Sequence, residues 1–265
     1  MKRRLTLLLA SLSGILAIFS SCQKEMDVTK SGDEIMGTPL PTTALYCRIE
    51  SIWENPGAWD QKFWLIAYDE FENPKFITTP VPATGQPFRT FKYDGWHRLR
   101  QYRGEYSNGH FENWTFYGYD LNGRIGYDTT YTFGDLGEMP TNYVYKTITN
   151  YQYDAQGRII RAFGAIMPTA GPPSVPFDEH YSYNADGNLN RPGVIYDLKT
   201  NMNRTNDIWM FLRRDYSMHN PFSANAYNAT GFPTTINQPV GTAPWLMSDL
   251  SNCQIGYGCR QSFYH

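Results

Sequence analysis

The chain has 265 residues, of which 16% are aromatic and only 18% charged, a balance that favours strands over solvated helices. Its formal net charge is −2, and losing the three cations Lys2, Arg3 and Arg4 with a cleaved leader takes it to −5. No basic stripe is present to displace counterions, which argues against nucleic acid as a partner.

The chain opens with a leader. Residues 2–4 are Lys-Arg-Arg, residues 5–19 form an apolar run of 15, and Ser20, Ser21 and Cys22 follow. Such a run is too short for a comfortable permanent span, and its positive start and small-residue end predict a cleaved export signal over 1–21. Phe19-Ser20-Ser21-Cys22 resembles the lipobox of bacterial lipoproteins, with Phe19 where Leu is usual. That resemblance implies acylation of Cys22, and at about 0.8 kcal/mol per buried CH₂ several chains hold a protein firmly on a membrane.

Residues 22–43 are polar, contain Gly and Pro and show no periodicity, which predicts a flexible tether. Gln23 after the cysteine resembles the pattern of lipoproteins sent to the outer membrane. Lys24, Glu25 and Asp27 resemble the acidic export signal of surface lipoproteins in Bacteroidota. The implied address is the outer membrane or cell surface.

Residues 44–265 are expected to be a single all-β domain. Phe91-Lys92-Tyr93-Asp94, Tyr117-Gly118-Tyr119-Asp120, Tyr151-Gln152-Tyr153-Asp154 and Tyr181-Ser182-Tyr183-Asn184 begin four copies of one pattern, aromatic-x-Tyr-(Asp/Asn)-x-x-Gly-(Arg/Asn)-(Ile/Leu). Gly123, Gly157 and Gly187 occupy its glycine position, and His97 replaces glycine in the first copy. Tyr227-Asn228 with Gly231 is a weaker fifth copy, and Tyr68-Asp69 begins a sixth. These tyrosines recur at intervals of 25, 26, 34, 30 and 44 residues, too irregular for a strict solenoid.

Aromatics two residues apart share one face of a strand. The Asp or Asn after them bonds the backbone two residues on, and a glycine three residues later takes positive φ. Each copy therefore predicts a β-hairpin, and the set predicts antiparallel hairpins laid side by side in a twisted, meandering sheet.

This motif resembles the YD repeats of Rhs-type proteins. More closely, the chain resembles uncharacterised Bacteroidota lipoproteins that combine a lipobox, Tyr-Asp-x-x-Gly-Arg hairpins and a late Asp-Tyr-Ser segment, here Asp215-Tyr216-Ser217. The resemblance covers roughly residues 60 to 240. It implies fold and address, and no residue-level activity.

Cys253 and Cys259 flank Gln-Ile-Gly-Tyr-Gly, which reads as a tight turn closed by a disulfide, though Cys47 could instead pair with either of them. His97, His110, His180, His219 and His265 show no ligand spacing with these thiols, so no metal or other cofactor is expected. Nucleophile elbow, HExxH and Walker A patterns are absent, and the carboxylates of Asp94, Asp120 and Asp154 are assigned to turns. A hydrolase built from carboxylates on different loops is the third-ranked function.

Recognition has two candidate carriers. The first is the tryptophan set Trp53, Trp59, Trp64, Trp96 and Trp114, whose rings either stack on a ligand or fill the core. The second is the Pro-rich stretch Met167–Pro176, which reads as a long connection. Asp128-Thr129-Thr130 also resembles the O-glycosylation acceptor of Bacteroidota. The leading expectation is a surface binding module for glycan or an envelope protein, ahead of a structural or assembly lipoprotein.

Overall fold

The computed structural model describes residues 45–80, 82, 85–171, 173–241, 243–246 and 248–261. The leader 1–21, the tether 22–43 with Cys22, and His265 lie outside the described residues.

Alternating apolar and polar side chains build the strands, because successive side chains on an extended chain face opposite ways. In order these are β1 (Leu45–Glu54), β2 (Lys62–Tyr68), β3 (Pro74–Thr78), β4 (Phe88–Tyr93), β5 (Leu99–Glu105), β6 (His110–Tyr119), β7 (Ile125–Asp135), β8 (Tyr145–Tyr153), β9 (Ile159–Pro168) and β10 (Val175–His180). Each pairs antiparallel with the one before. The chain then makes a 3₁₀ turn (Met202–Thr205) and the short helix α1 (Asp207–Arg213). It returns through β11 (Ala226–Tyr227), β12 (Pro233–Asn237), a small separate hairpin of β13 (Pro244–Trp245) and β14 (Ser248–Asp249), and β15 (Asn252–Gln261).

β15 seats against β1, with β12 and β11 beyond it, so one open antiparallel sheet of 13 strands extends from β10 to β11. The fold is all-β. The fifth repeat copy, at Tyr227, therefore sits at the opposite edge of the sheet from the fourth rather than beside it.

Six connections share one turn. At Asp69, Asp94, Asp120, Asp154, Asn184 and Asn228 the side-chain Oδ1 accepts a bond of 2.9–3.0 Å from the backbone N–H four residues on. In all but the Asn184 turn it also accepts from the N–H two residues on. The fourth residue lies in the left-handed region: Gly123, Gly157, Gly187 and Gly231 at φ +76, +77, +76 and +84°, and Glu72 and His97 at +63 and +60°. This is a type I turn followed by a left-handed residue, a common short hairpin connection. Because β2, β4, β6, β8, β10 and β11 run in one direction, all six turns emerge at the same end of the sheet. The Asn184 copy keeps the turn but only a single bridge, Tyr183 to Leu189, before the chain leaves the sheet.

The repeat tyrosine ties each hairpin to the one before it. The hydroxyls of Tyr93, Tyr119 and Tyr153 donate to the carbonyls of Pro74, Leu99 and Ile125 at 2.7, 2.9 and 2.7 Å. The arginine after each turn is held by its own aspartate and lies over the next repeat's tyrosine: Arg98 over Tyr119 at 4.4 Å, Arg124 over Tyr153 at 4.7 Å and Arg158 over Tyr183 at 4.1 Å. Asp, Arg and Tyr thus form one unit that crosses from repeat to repeat.

One face of the sheet is closed by the segment containing α1. Trp209 packs edge-on to Phe91 and Trp245, and Phe211 edge-on to Tyr117 and Tyr151. These rings join Ile52, Trp64, Ile66 and Ile77 in the core. The Asp-Tyr-Ser segment fastens that insert. Buried Asp215 pairs with Arg191 at 3.2 Å, and the Ser217 hydroxyl accepts from the Leu189 N–H at 2.9 Å.

Two sequence expectations are corrected here. Cys253 and Cys259 do not form a disulfide, because residues 252–261 are one extended strand and six residues at about 3.3 Å each place the two thiols far beyond disulfide reach. Cys259 instead lies opposite Cys47 in the β1–β15 ladder, and these two are bridged, with Cα atoms 4.1 Å apart. Cys253 is a buried free thiol whose pKa is pushed up to about 12 by burial. The Pro-rich stretch is also shorter as a connection than it looks, since Met167 and Pro168 finish β9 and Val175 and Pro176 open β10.

Candidate functional site

The five tryptophans do not converge. Trp64 is buried in the core, its Nε1 donating to Glu54 at 2.7 Å. Trp114 is buried too, on the face away from α1, where it stacks on Phe116 with ring centres 5.4 Å apart and lies under the Arg103 guanidinium. Neither is available to a ligand, which corrects their assignment as binding residues. Trp96, 77% exposed, tips the Asp94 turn beneath Arg98. Trp59, 98% exposed, sits in the β1–β2 connection at the other end of the sheet.

Trp53 has the setting of a binding side chain. In the β1–β2 ladder Ile52 lies opposite Trp64 and Trp53 opposite Phe63. The first pair enters the core, so alternation sends the second to the outer face. There Trp53, 39% exposed, meets Phe63 edge-to-face at 6.4 Å. Two hollows flank the pair. One, of about 510 Å³, is completed by Gln61, Lys62, Thr79, Pro80 and Gln86. The other, of about 260 Å³, is completed by Ser51, Thr234, Thr235, Gln254, Ile255 and Gly256. Rings with amides, hydroxyls and one ammonium around them suit a neutral ligand that has apolar faces and hydroxyl edges.

Phe63 was not singled out by sequence, although a signal existed. Phe63-Trp64 places large rings at both parities of one strand, and only one parity can enter the core.

The repeat carboxylates are occupied. Desolvation pushes Asp94, Asp120 and Asp154 up, but the bonds each receives from the arginine four residues on and from turn N–H groups outweigh it and hold them below the ordinary value. Asp128 is pushed the other way by burial, despite hydroxyls donated by Tyr151 and Thr130. It stands in the middle of β7 and lines neither hollow around Trp53. The Asp128-Thr129-Thr130 motif is therefore part of the sheet ladder, with the Asp128 carboxylate and the Thr130 hydroxyl both engaged.

Among the described residues no group of three or more His, Cys, Asp and Glu side chains is arranged to hold a metal ion, and no helix is long and apolar enough to cross a membrane. Fold and site together define a hairpin-repeat protein built on one large open sheet, with a pair of aromatic rings on its outer face. No protein-family model matches the chain, and no curated protein is similar enough to match it.

Proposed function

We propose that this protein is a glycan-binding module, exported and held on the outer membrane or cell surface by lipid on Cys22, with Trp53 and Phe63 as its binding platform. The observation that carries the reading is an indole left half-exposed between two hollows, although the core elsewhere absorbs its neighbours Ile52 and Trp64. A sugar ring packs its C–H face on an indole, and its hydroxyls find partners in Gln61, Gln86, Gln254 and Thr235.

A glycan array probed with the detergent-solubilised protein, followed by calorimetry on the hits, tests this. Trp53→Ala is expected to weaken binding by about tenfold or more, whereas Trp96→Ala leaves it unchanged. Absence of any glycan hit, or full binding by Trp53→Ala, removes the reading. Exposed Leu65 and Phe76 extend the apolar outer face beyond Phe63 and favour an envelope protein as the second reading. A partner captured by the wild type and lost with Trp53→Ala, without glycan binding, would support it. For the address, Cys22→Ser should move the protein out of the membrane fraction.

A further inference from the structure

At the end of the sheet opposite the six Asp/Asn turns lies a hollow of about 600 Å³ that shares no residue with the Trp53 platform. His110, Asp135, Asn142, Asn108, Ser107 and the ring of Phe133 line it. Phe133 lies in β7 at φ +52° and Asn142 faces it from the following connection at φ +50°. Asparagine adopts that conformation readily, but a bulky aromatic does not. Strain of this kind persists where the surrounding structure over-determines it, and it clusters at ligand sites. The Phe133 ring is 49% exposed at the hollow, while Gly134 beside it is buried.

Polar groups are fixed beside that ring. Asn142 Nδ2 donates to Asp135 Oδ2 at 2.7 Å, and His110 Nδ1 lies 2.6 Å from Asp135 Oδ1. These two bonds hold the Asp135 carboxyl below its ordinary value, so at neutral pH it is an ionised acceptor with lone pairs to spare. Its orientation is locked from both sides before any ligand arrives. The Ser107 hydroxyl, Asn108 Nδ2, Asn142 Oδ1 and His110 Nε2 have no hydrogen-bond partner among the described residues. An exposed ring, an oriented carboxylate and unspent amide and hydroxyl groups complement a small ligand with one C–H face and several hydroxyls.

We propose that this hollow is a second, separate binding site that takes a single hexopyranose ring on Phe133, with its hydroxyls on Asp135, Asn142 and Asn108. It lies on β6 and β7 and does not rest on the Trp53 reading, so the two fail independently.

Saturation-transfer NMR and calorimetry with methyl glycosides of glucose, galactose, mannose, fucose and N-acetylglucosamine test it. The full chain is used in a polyoxyethylene detergent, whose head group carries no sugar. At least one glycoside should bind saturably in the millimolar range. Phe133→Gly removes the ring and the strain together, so it should lose about tenfold or more in affinity while its Tm rises by about 2–4 °C. Asp135→Asn should lose binding with little change in Tm, and Trp53→Ala should leave this binding intact. The proposal is overturned if no glycoside binds at tens of millimolar, if Phe133→Gly binds like wild type, or if its Tm falls, which would make the ring a packing element.

Discussion

A turn residue acts either through its own backbone or through what it touches, and the repeat contains both kinds. Gly157 sits at φ +77° with open space where a Cβ would stand, so any side chain there meets backbone strain alone. Gly157→Val should therefore cost about 1–3 kcal/mol, and Asp154→Ala about 1 kcal/mol through its lost turn bonds. Urea midpoints read both, and two unchanged midpoints would rule out the turn as a source of stability. His97 and Glu72 occupy the same position without being glycine, and each has a tertiary contact that offsets the strain. The His97 ring lies 3.5 Å from that of Phe71, and Glu72 bonds Arg260 at 2.9 Å.

Between elements, the tyrosine hydroxyls do what backbone ladders alone cannot, because each reaches a carbonyl beyond the preceding turn. Tyr153 spans 28 residues to the Ile125 carbonyl while Arg124 covers its ring. Tyr153→Phe should destabilise the domain by about 1 kcal/mol. Tyr127→Phe is the control, since Tyr127 is exposed and its hydroxyl bonds nothing among the described residues; thermal unfolding should leave it at the wild-type midpoint. Equal effects from the two changes would reduce the repeat tyrosine to a core ring. Gly118 is part of the same economy of space: any Cβ there would enter the Tyr127 ring, so the glycine is what lets that ring lie flat on β6.

At the scale of the molecule, one covalent link joins the first strand to the last. The Cys47–Cys259 bridge closes a separation of 212 residues, which in the chain-entropy model corresponds to about 5 kcal/mol. Non-reducing peptide mapping should recover Cys47 linked to Cys259. Cys253, with its thiol pushed up to about 12 by burial, should resist iodoacetamide until denaturant is added. A Cys253–Cys259 peptide, or rapid alkylation of Cys253 in the native state, would contradict the strand assignment of β15.

The repeat pattern alone determined the all-β class, the antiparallel hairpins and the turn residues Asp94, Asp120, Asp154, Asn184, Gly123, Gly157, Gly187 and Gly231. These are local outcomes, decided within about nine residues by side-chain alternation and turn chemistry. The proposed lipidation of Cys22 and the proposed export are read from sequence alone, because that segment lies outside the described residues. Only the tertiary structure decided which tryptophans stay outside, which cysteine meets Cys47 and where the fifth repeat docks. Those outcomes depend on strand order: β15 lies beside β1 although some 200 residues separate them, and no local pattern encodes that neighbour. Phe133 and Asp135 belong to no motif in the sequence, and His110 reads there only as a histidine without ligand spacing. Their hollow forms where β6, β7 and the connections flanking them meet Pro82 of the β3–β4 connection, and a strained aromatic has no signature in a one-dimensional pattern until its backbone angle is known.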